Sequence, residues 1–196
     1  MQLLLHIKIN RGMVIRMKII ESDFGYKGYR CVTTFTDMGH RCGYVGIPEG
    51  HPLYGKHNDS QVKVTMKELI EDEEMNQIGN RGVWTLLGLP NDEDDQVRLG
   101  SYFMVHGGIT YADGGKDSHH PVDSDLWWFG FDCGHYGDCP DYDLLEKTRG
   151  DNEMVRRRLE DKWLYDGYEV RTLEYVQQEC INLVDQIIRL IESKYE

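Results

Sequence analysis

Positive charge is scarce in this sequence, and a long apolar run is missing. Lys and Arg number 22 against 34 Asp and Glu, which gives a formal net charge of −12. Proteins that follow a phosphate backbone present a basic face, so we expect no general nucleic-acid binding. No apolar run approaches the ~20 residues that span a bilayer, so we expect no membrane partner. The hydrophobic share of 40% excludes a mostly disordered chain.

Several catalytic signatures are missing too. The chain has no P-loop, no G-x-G-x-x-G, no G-x-S-x-G and no H-E-x-x-H. Its five cysteines are an odd number without C-x-x-C spacing, and the first residues lack the small-residue cleavage site of a signal peptide, so we expect none. We therefore expect reduced thiols, a cytoplasmic location, no cofactor and no assigned metal ligands.

The length of the chain fits one domain. We predict a single domain over 1–196, because chains of 100–200 residues usually form one. Residues 1–16 are either a genuine extension or the product of a misassigned start, since Met17 would open a first strand well. Acidic runs at 71–74 and 92–95 are expected to be a solvated helix face and a solvated loop.

The pattern of apolar residues predicts strands first and helices later. Strands are predicted at 29–36, 43–47, 83–89, 101–105 and 126–131, and helices at 65–79, 153–165 and 171–193. The last helix has the clearest periodicity, a stripe of Leu173, Val176, Cys180, Leu183, Val184, Ile187 and Ile191 after the capping residue Thr172. This order predicts an α+β fold: a small mixed or antiparallel sheet with helices on one side and a long C-terminal amphipathic helix.

The densest set of reactive side chains follows the strand predicted at 126–131. Asp132, His135 and Asp138 are spaced by three, and the glycines between them permit a turn in which the three side chains converge. Such a group can orient an imidazole for acid–base chemistry, bind a metal, contact a ligand, or only satisfy the turn by hydrogen bonds. The spacing alone leaves these alternatives open.

Two further glycine-rich segments, at 46–56 and 106–111, adjoin predicted strands. Their histidines and tyrosines suit stacking and polar contacts with a ligand. Because sheet pairing can bring strand ends together, we predict that the three segments line one pocket. The predicted ligand-binding residues are His51, Tyr54, His106, Tyr111, Trp128, Asp132 and His135.

The choice of Trp128 over Trp127 rests on strand alternation. Neighbouring residues of a strand point to opposite faces, so only one of the two indoles can face the pocket. Trp127 and Phe131 share a face and resemble a core pair. We therefore place Trp128 at the ligand.

Three motif-bearing segments belong together: Tyr44–Gly55, which ends in GHPLYG; His106–Tyr111, which reads HGGITY; and Trp127–Asp138, which reads WWFGFDCGHYGD. Taken jointly they resemble a family of small uncharacterised proteins common in phage and prophage genomes. The resemblance spans roughly 29–140, and residues 171–176 fit it too. It implies that 60–100 is an acidic insertion relative to shorter members, and it implies no particular reaction.

A phage context favours proteins that act against host immunity. The resemblance therefore implies a non-catalytic protein in the host cytoplasm that sequesters a small nucleotide-like ligand, with aromatic rings for the base and histidines for polar contacts. One alternative is a hydrolase that uses Asp132 and His135, and another is an acidic inhibitor that docks on a host factor. Whether the protein is an enzyme, and whether it forms a homo-oligomer, stays open.

Overall fold

The computed structural model describes residues 18–63, 96–114, 121–150 and 153–195. The strands in these ranges are β1 (Ile19–Tyr26), β2 (Tyr29–Phe35), β3 (Arg41–Ile47), β4 (Gln61–Lys63), β5 (Gln96–Arg98), β6 (Tyr111–Gly114), β7 (Trp127–Asp132), β8 (Asp138–Cys139) and β9 (Glu169–Val170). The helices are α1 (Leu99–Tyr102), α2 (Tyr142–Arg149), α3 (Glu153–Glu160) and α4 (Leu173–Tyr195), with a 3₁₀ helix over Lys162–Tyr165.

Five strands form an antiparallel sheet in the order β1-β2-β3-β7-β6. Gly39, at a φ of +86°, closes the turn between β2 and β3, a conformation that glycine adopts without strain. The pair β4–β5 is antiparallel, whereas β8–β9 is parallel. The predicted α+β fold with an antiparallel sheet and a long C-terminal helix is therefore confirmed.

Helix α4 covers one face of this sheet. Its N-terminal turn is capped as predicted, because the Thr172 hydroxyl accepts a hydrogen bond of 3.2 Å from the backbone N–H of Tyr175. The stripe that it buries is Val176, Cys180, Leu183, Val184, Ile187 and Leu190. Sheet residues in contact with this core are Cys31, Val45, Ile47, Phe129 and Phe131. Gly43 admits this close packing, since a Cβ there would overlap the Phe131 ring.

The opposite face of the sheet is buried as well. Val32, Tyr44 and Trp128 form a second core, with Val122 and Leu126 packed against it. The indole Nε1 of Trp128 donates a hydrogen bond of 3.2 Å to the hydroxyl of Ser124. Both sides of the central strands therefore exclude water.

The strand predicted at 101–105 is wrong. Residues Leu99–Tyr102 form the short helix α1, and the segment after it has no strand partner among the described residues. The side chain of Gln186 on α4 takes that role: its Oε1 accepts from the N–H of Met104 at 2.7 Å, and its Nε2 donates to the carbonyl of Met104 at 2.9 Å. A side chain on the helix thus forms the backbone hydrogen bonds that the prediction assigned to a neighbouring strand.

The helical prediction at 153–165 needs a smaller correction. Helix α3 ends at Glu160, and Trp163 in the following 3₁₀ helix is 72% exposed, so it does not share the buried face with Val155. The predictions at 65–79 and 83–89 fall outside the described residues, as do residues 1–16. The single domain and the acidic insertion stay predictions. Among the described residues, no helix combines the length and apolarity needed to cross a bilayer.

All five cysteines carry free thiols in the structure. Burial raises the pKa of Cys31 to about 12 and also raises the pKa of Cys133 and Cys180. Because the thiolate is the reactive form, we expect these three to resist thiol reagents in the native protein. Thiol titration in denaturant without reductant should find all five free. A disulfide between Cys133 and Cys139 would contradict this expectation.

Candidate functional site

The reactive side chains gather where β7 ends. The chain leaves the sheet at Asp132, turns, and forms β8, whose Asp138 lies opposite Glu169 of β9. This short parallel pairing brings Arg171, two residues beyond Glu169, to the carboxylate of Asp138. The loop that carries His106 reaches the same place from the other side.

Arg41 fixes the segment that carries Arg171. Its Nη1 donates a hydrogen bond of 2.9 Å to the carbonyl of Arg171, and its guanidinium forms ion pairs of 2.9 Å with Glu21 and with Asp141. Burial raises the pKa of Glu21, although its bonds to Arg41 oppose that rise. Strand β1 and the start of α2 are thereby tied to the chain beside the site.

Asp138 is the centre of the cluster. Its carboxylate is 1% exposed, and both of its oxygens are occupied. Oδ1 accepts from Arg171 Nε at 2.7 Å, while Oδ2 accepts from His106 Nε2 at 2.7 Å and from the backbone N–H of His135 at 2.9 Å. Burial alone would raise its pKa, but the bonds from Arg171 and His106 prevail, so the pKa of Asp138 is lowered. The carboxylate therefore stays ionised.

The imidazole of His106 joins Asp138 to Tyr175. Since Nε2 donates to an ionised carboxylate, the neutral ring accepts at Nδ1, and the Tyr175 hydroxyl lies 3.0 Å from that nitrogen. Burial raises the pKa of Tyr175 to about 12, which keeps the hydroxyl proton available as a donor. The backbone N–H of His106 donates to Glu179 on α4 at 2.7 Å.

His135 lies beside His106, with 5.6 Å between the two ring centroids. Its ring rests on Gly107, which has a φ of +68°, and a Cβ at that position would overlap the imidazole. The Nδ1 atom lies 3.9 Å from a carboxylate oxygen of Asp132 and 3.9 Å from one of Asp138. That nitrogen has no hydrogen-bond partner among the described residues. The side chain is 36% exposed, so it can meet a ligand.

Asp132 completes the outer side of the cluster. Its side chain is 41% exposed and accepts hydrogen bonds of 3.1 Å from the hydroxyl of Thr110 and from the N–H of Gly134. His40 packs behind Gly134, and its burial lowers the pKa of the imidazole. Asp132 is thus held in place while remaining open to solvent.

The seven predicted binding residues fall into three groups. The first group, His106, Asp132 and His135, lies in the cluster around Asp138. His51 and Tyr54 follow β3, and the antiparallel register pairs Ile47 with Trp127 and Cys42 with Asp132, so they lie at the opposite end of the sheet.

Local partners occupy the side chains of that second group. The hydroxyl of Tyr29 lies 3.0 Å from His51 Nε2, and His51 Nδ1 accepts from the N–H of Leu53 at 3.1 Å. Burial lowers the pKa of His51. Tyr54 donates to the carbonyl of Asp125 at 3.1 Å.

The third group, Tyr111 and Trp128, lies on the sheet face away from α4. Tyr111 packs edge-on against Tyr44 at a centroid distance of 5.6 Å, and Trp128 is fully buried in the second core. Trp127 and Trp128 do point to opposite faces, but both faces are packed. No ligand can reach the Trp128 ring in this conformation.

Sequence reasoning left three important residues outside the predicted set. In the sequence, Asp138 is recognisable only as the third residue in the series Asp132, His135 and Asp138. Nothing in that series shows which of the three is buried. Arg171 directly precedes the capping residue Thr172, and Tyr175 lies in the first turn of α4, so the Arg171 guanidinium lies 5.2 Å from the centre of the Tyr175 ring. Their role depends on the β8–β9 pairing, for which two-residue strands give no recognisable pattern.

Comparison of the chain with protein-family models, with curated proteins and with solved structures finds no match in any of the three sets. The resemblance to phage proteins therefore stays a prediction drawn from three motifs. Function has to be argued from the chemistry of the cluster around Asp138.

Proposed function

We propose that the protein binds a small nucleotide-like ligand at the surface formed by His135, Asp132 and Tyr136. The observation that carries the proposal is the exposure of Tyr136, which is 93% in solvent and directly follows His135, whose side chain is 36% exposed. Tyr168 contacts the Tyr136 ring edge-on, with 5.4 Å between the centroids. An exposed aromatic ring next to polar groups offers a base one face for stacking.

The polar side chains of Asp132 and His135, which precede Tyr136 in the chain, suit a nucleoside. The Asp132 carboxylate can accept hydrogen bonds from ribose hydroxyls or an exocyclic amine, and His135 can donate or accept. Phosphate is less easily placed, because Arg171 already donates to Asp138 and to Glu169, each at 2.7 Å. The cluster therefore needs a further positive charge if the ligand is phosphorylated.

One observation favours hydrolysis as a second candidate function. Asp138, His106 and Tyr175 form a continuous carboxylate–imidazole–hydroxyl chain, with links of 2.7 and 3.0 Å. In such a chain the carboxylate orients the imidazole and stabilises its protonated form, while the imidazole accepts the hydroxyl proton. Tyr175 would then be the nucleophile: its oxygen bonds to the ligand as the leaving group departs with the proton from His106, and water then hydrolyses the tyrosyl intermediate and restores the hydroxyl.

Calorimetric titration of cyclic nucleotides and ADP-ribose tests the proposal. We expect His135→Ala and Asp132→Ala to abolish binding, because each removes a polar group that faces solvent at the site. Their melting temperatures should change by a few degrees at most, since exposed loop side chains contribute little to stability. His57→Ala is the matched control: this exposed histidine packs on Trp127 at the far end of β7 and should leave binding unchanged.

Recovery of the ligand after titration separates the two functions. Intact ligand supports sequestration. Cleaved ligand supports hydrolysis, in which case Tyr175→Phe should stop cleavage and retain binding. If no nucleotide binds to the folded wild-type protein, the proposal is wrong.

A further inference from the structure

We infer that His106, His135 and Asp138 bind one divalent transition-metal ion of the zinc type. Each of the three offers one ligand atom, and these atoms all lie within 4.8 Å of one another. Imidazole nitrogens with one carboxylate oxygen are a ligand set that zinc takes in proteins. The inference rests on the proposed function for its purpose, since the ion would supply the charge that a phosphorylated ligand needs.

Changes of about 0.6 to 1.5 Å in the distances between ligand atoms would complete the coordination. With bonds of about 2.0–2.1 Å, tetrahedral zinc places its ligand atoms about 3.3 Å apart. His106 Nε2 and Asp138 Oδ2 are 2.7 Å apart, and His135 Nδ1 and Asp138 Oδ2 are 3.9 Å apart. Each of these two distances has to change by about 0.6 Å to meet that geometry, and the two histidine nitrogens, which lie within 4.8 Å of each other, have to approach by up to about 1.5 Å. His135 can supply much of the movement, because it is half-exposed and its Nδ1 has no hydrogen-bond partner among the described residues.

Groups around the three ligands already hold them in suitable orientations. Once His106 Nε2 coordinates the ion, its Nδ1 carries the proton and donates it to the Tyr175 hydroxyl, which lies 3.0 Å away. Arg171 holds Oδ1 of Asp138, while Oδ2 keeps the hydrogen bond from the His135 N–H and exchanges its bond from His106 for the ion. Such supporting hydrogen bonds are the usual surroundings of metal-binding histidines and carboxylates. Three protein ligands leave a fourth position for water or a phosphate oxygen.

The charges around the cluster favour a cation. Asp132, Asp138, Glu169 and Glu179 lie in or beside it, whereas Arg171 is the basic side chain in contact with Asp138. A divalent ion would offset this excess of negative charge and become the largest local charge, as bound metals commonly do. A phosphate could then approach a region that otherwise repels it.

Metal binding and the hydrolytic chain are exclusive uses of one imidazole. Coordination replaces the hydrogen bond from His106 Nε2 to Asp138 and places the ring proton on Nδ1, so His106 can no longer take a proton from Tyr175. Hydrolysis that persists in chelator would therefore belong to the metal-free chain. Binding of phosphorylated ligand that requires the ion would belong to the metal-bound form.

The full chain, stripped with chelator, is titrated with Zn²⁺ by calorimetry and with Co²⁺ by visible absorption. We expect one ion per chain and the d–d bands of low-coordinate Co²⁺, without thiolate-to-cobalt charge transfer. His135→Ala should weaken Zn²⁺ binding at least about 100-fold, and Tyr175→Phe about tenfold, as loss of a supporting bond to a ligand does. His57→Ala should match wild type, and melting curves in chelator verify that each variant is folded.

Equal Zn²⁺ affinity in wild type and folded His135→Ala would overturn the inference, as would thiolate charge-transfer bands. Nucleotide titrations with and without Zn²⁺ separate it from the proposed function. If nucleotides bind equally in chelator and Zn²⁺ does not bind, the metal site fails while the proposed function stands. If Zn²⁺ binds as expected and no nucleotide does, the metal site stands and the proposed function fails.

Discussion

A chain that ends at Glu169 is expected to be unfolded. The truncation removes α4, whose six most buried side chains cover one face of the sheet. Burying one Leu, Ile or Val contributes about 1.5–3 kcal/mol, and the whole domain is stable by only about 5–15 kcal/mol. Circular dichroism and thermal melting of the truncated chain should show no cooperative transition. A soluble, cooperatively folding product would mean that the helix serves self-association instead.

Point variants of α4 provide a graded form of the same experiment. Leu183→Ala leaves a cavity in the core and should lower the free energy of unfolding by about 2–5 kcal/mol. Gln178→Ala, on the exposed side of the helix, should change it by less than about 0.5 kcal/mol. Similar losses in the two variants would contradict the packing described for α4.

Replacing Asp138 by alanine is expected to destabilise the protein by about 3 kcal/mol, because it leaves buried donors without their shared acceptor. Asp132→Ala is the matched control. It removes a carboxylate six residues earlier that is 41% exposed, and it should change the free energy of unfolding by less than about 1 kcal/mol. Urea unfolding near neutral pH measures both differences. If both variants lose the same free energy of unfolding, Asp138 does not organise the cluster.

The loss of stability caused by Asp138→Ala should also depend on pH. The pKa of this carboxyl is lowered from its usual value of 3.8 by Arg171 and His106, which outweigh its burial. A group with a depressed pKa in the folded state stabilises the protein above its usual pKa, and the contribution is lost as the pH falls through the folded-state value. The difference in free energy of unfolding between wild type and Asp138→Ala should therefore be largest near neutral pH. It should decrease as the pH falls below about 3.8. An unchanged difference at low pH would mean that the ionised carboxylate is not the stabilising form.

Sequence patterns predicted the elements whose periodicity reflects burial on one side. The stripe from Leu173 to Ile191 identified α4, and β-branched and aromatic runs identified β2, β3 and β7. They failed for 101–105, where apolar residues are buried without being a strand. Burial alone does not specify how backbone hydrogen bonds are satisfied, and here a glutamine on α4 satisfies them.

The candidate site was predictable only in part. His106, Asp132 and His135 lie at the ends of recognisable segments, and the structure brings them together. His51 was assigned to the same pocket because it also follows a strand. However, β3 and β7 are neighbouring antiparallel strands, so they terminate at opposite ends of the sheet. Tyr111 and Trp128 were misjudged for a different reason, since alternation tells which side a residue faces and not whether that side is open.

The hydrogen bonds from α4 to the loop that carries His106 have a consequence for motion. Irregular segments usually open to solvent more readily than the elements they connect. Here the N–H groups of Met104 and His106 are held by side chains of Gln186 and Glu179, both on the helix that completes the core. Their amide hydrogens can exchange with water only when these hydrogen bonds to α4 break. We therefore expect the loop to unfold together with the helix, so that His106 keeps its position while the core is folded.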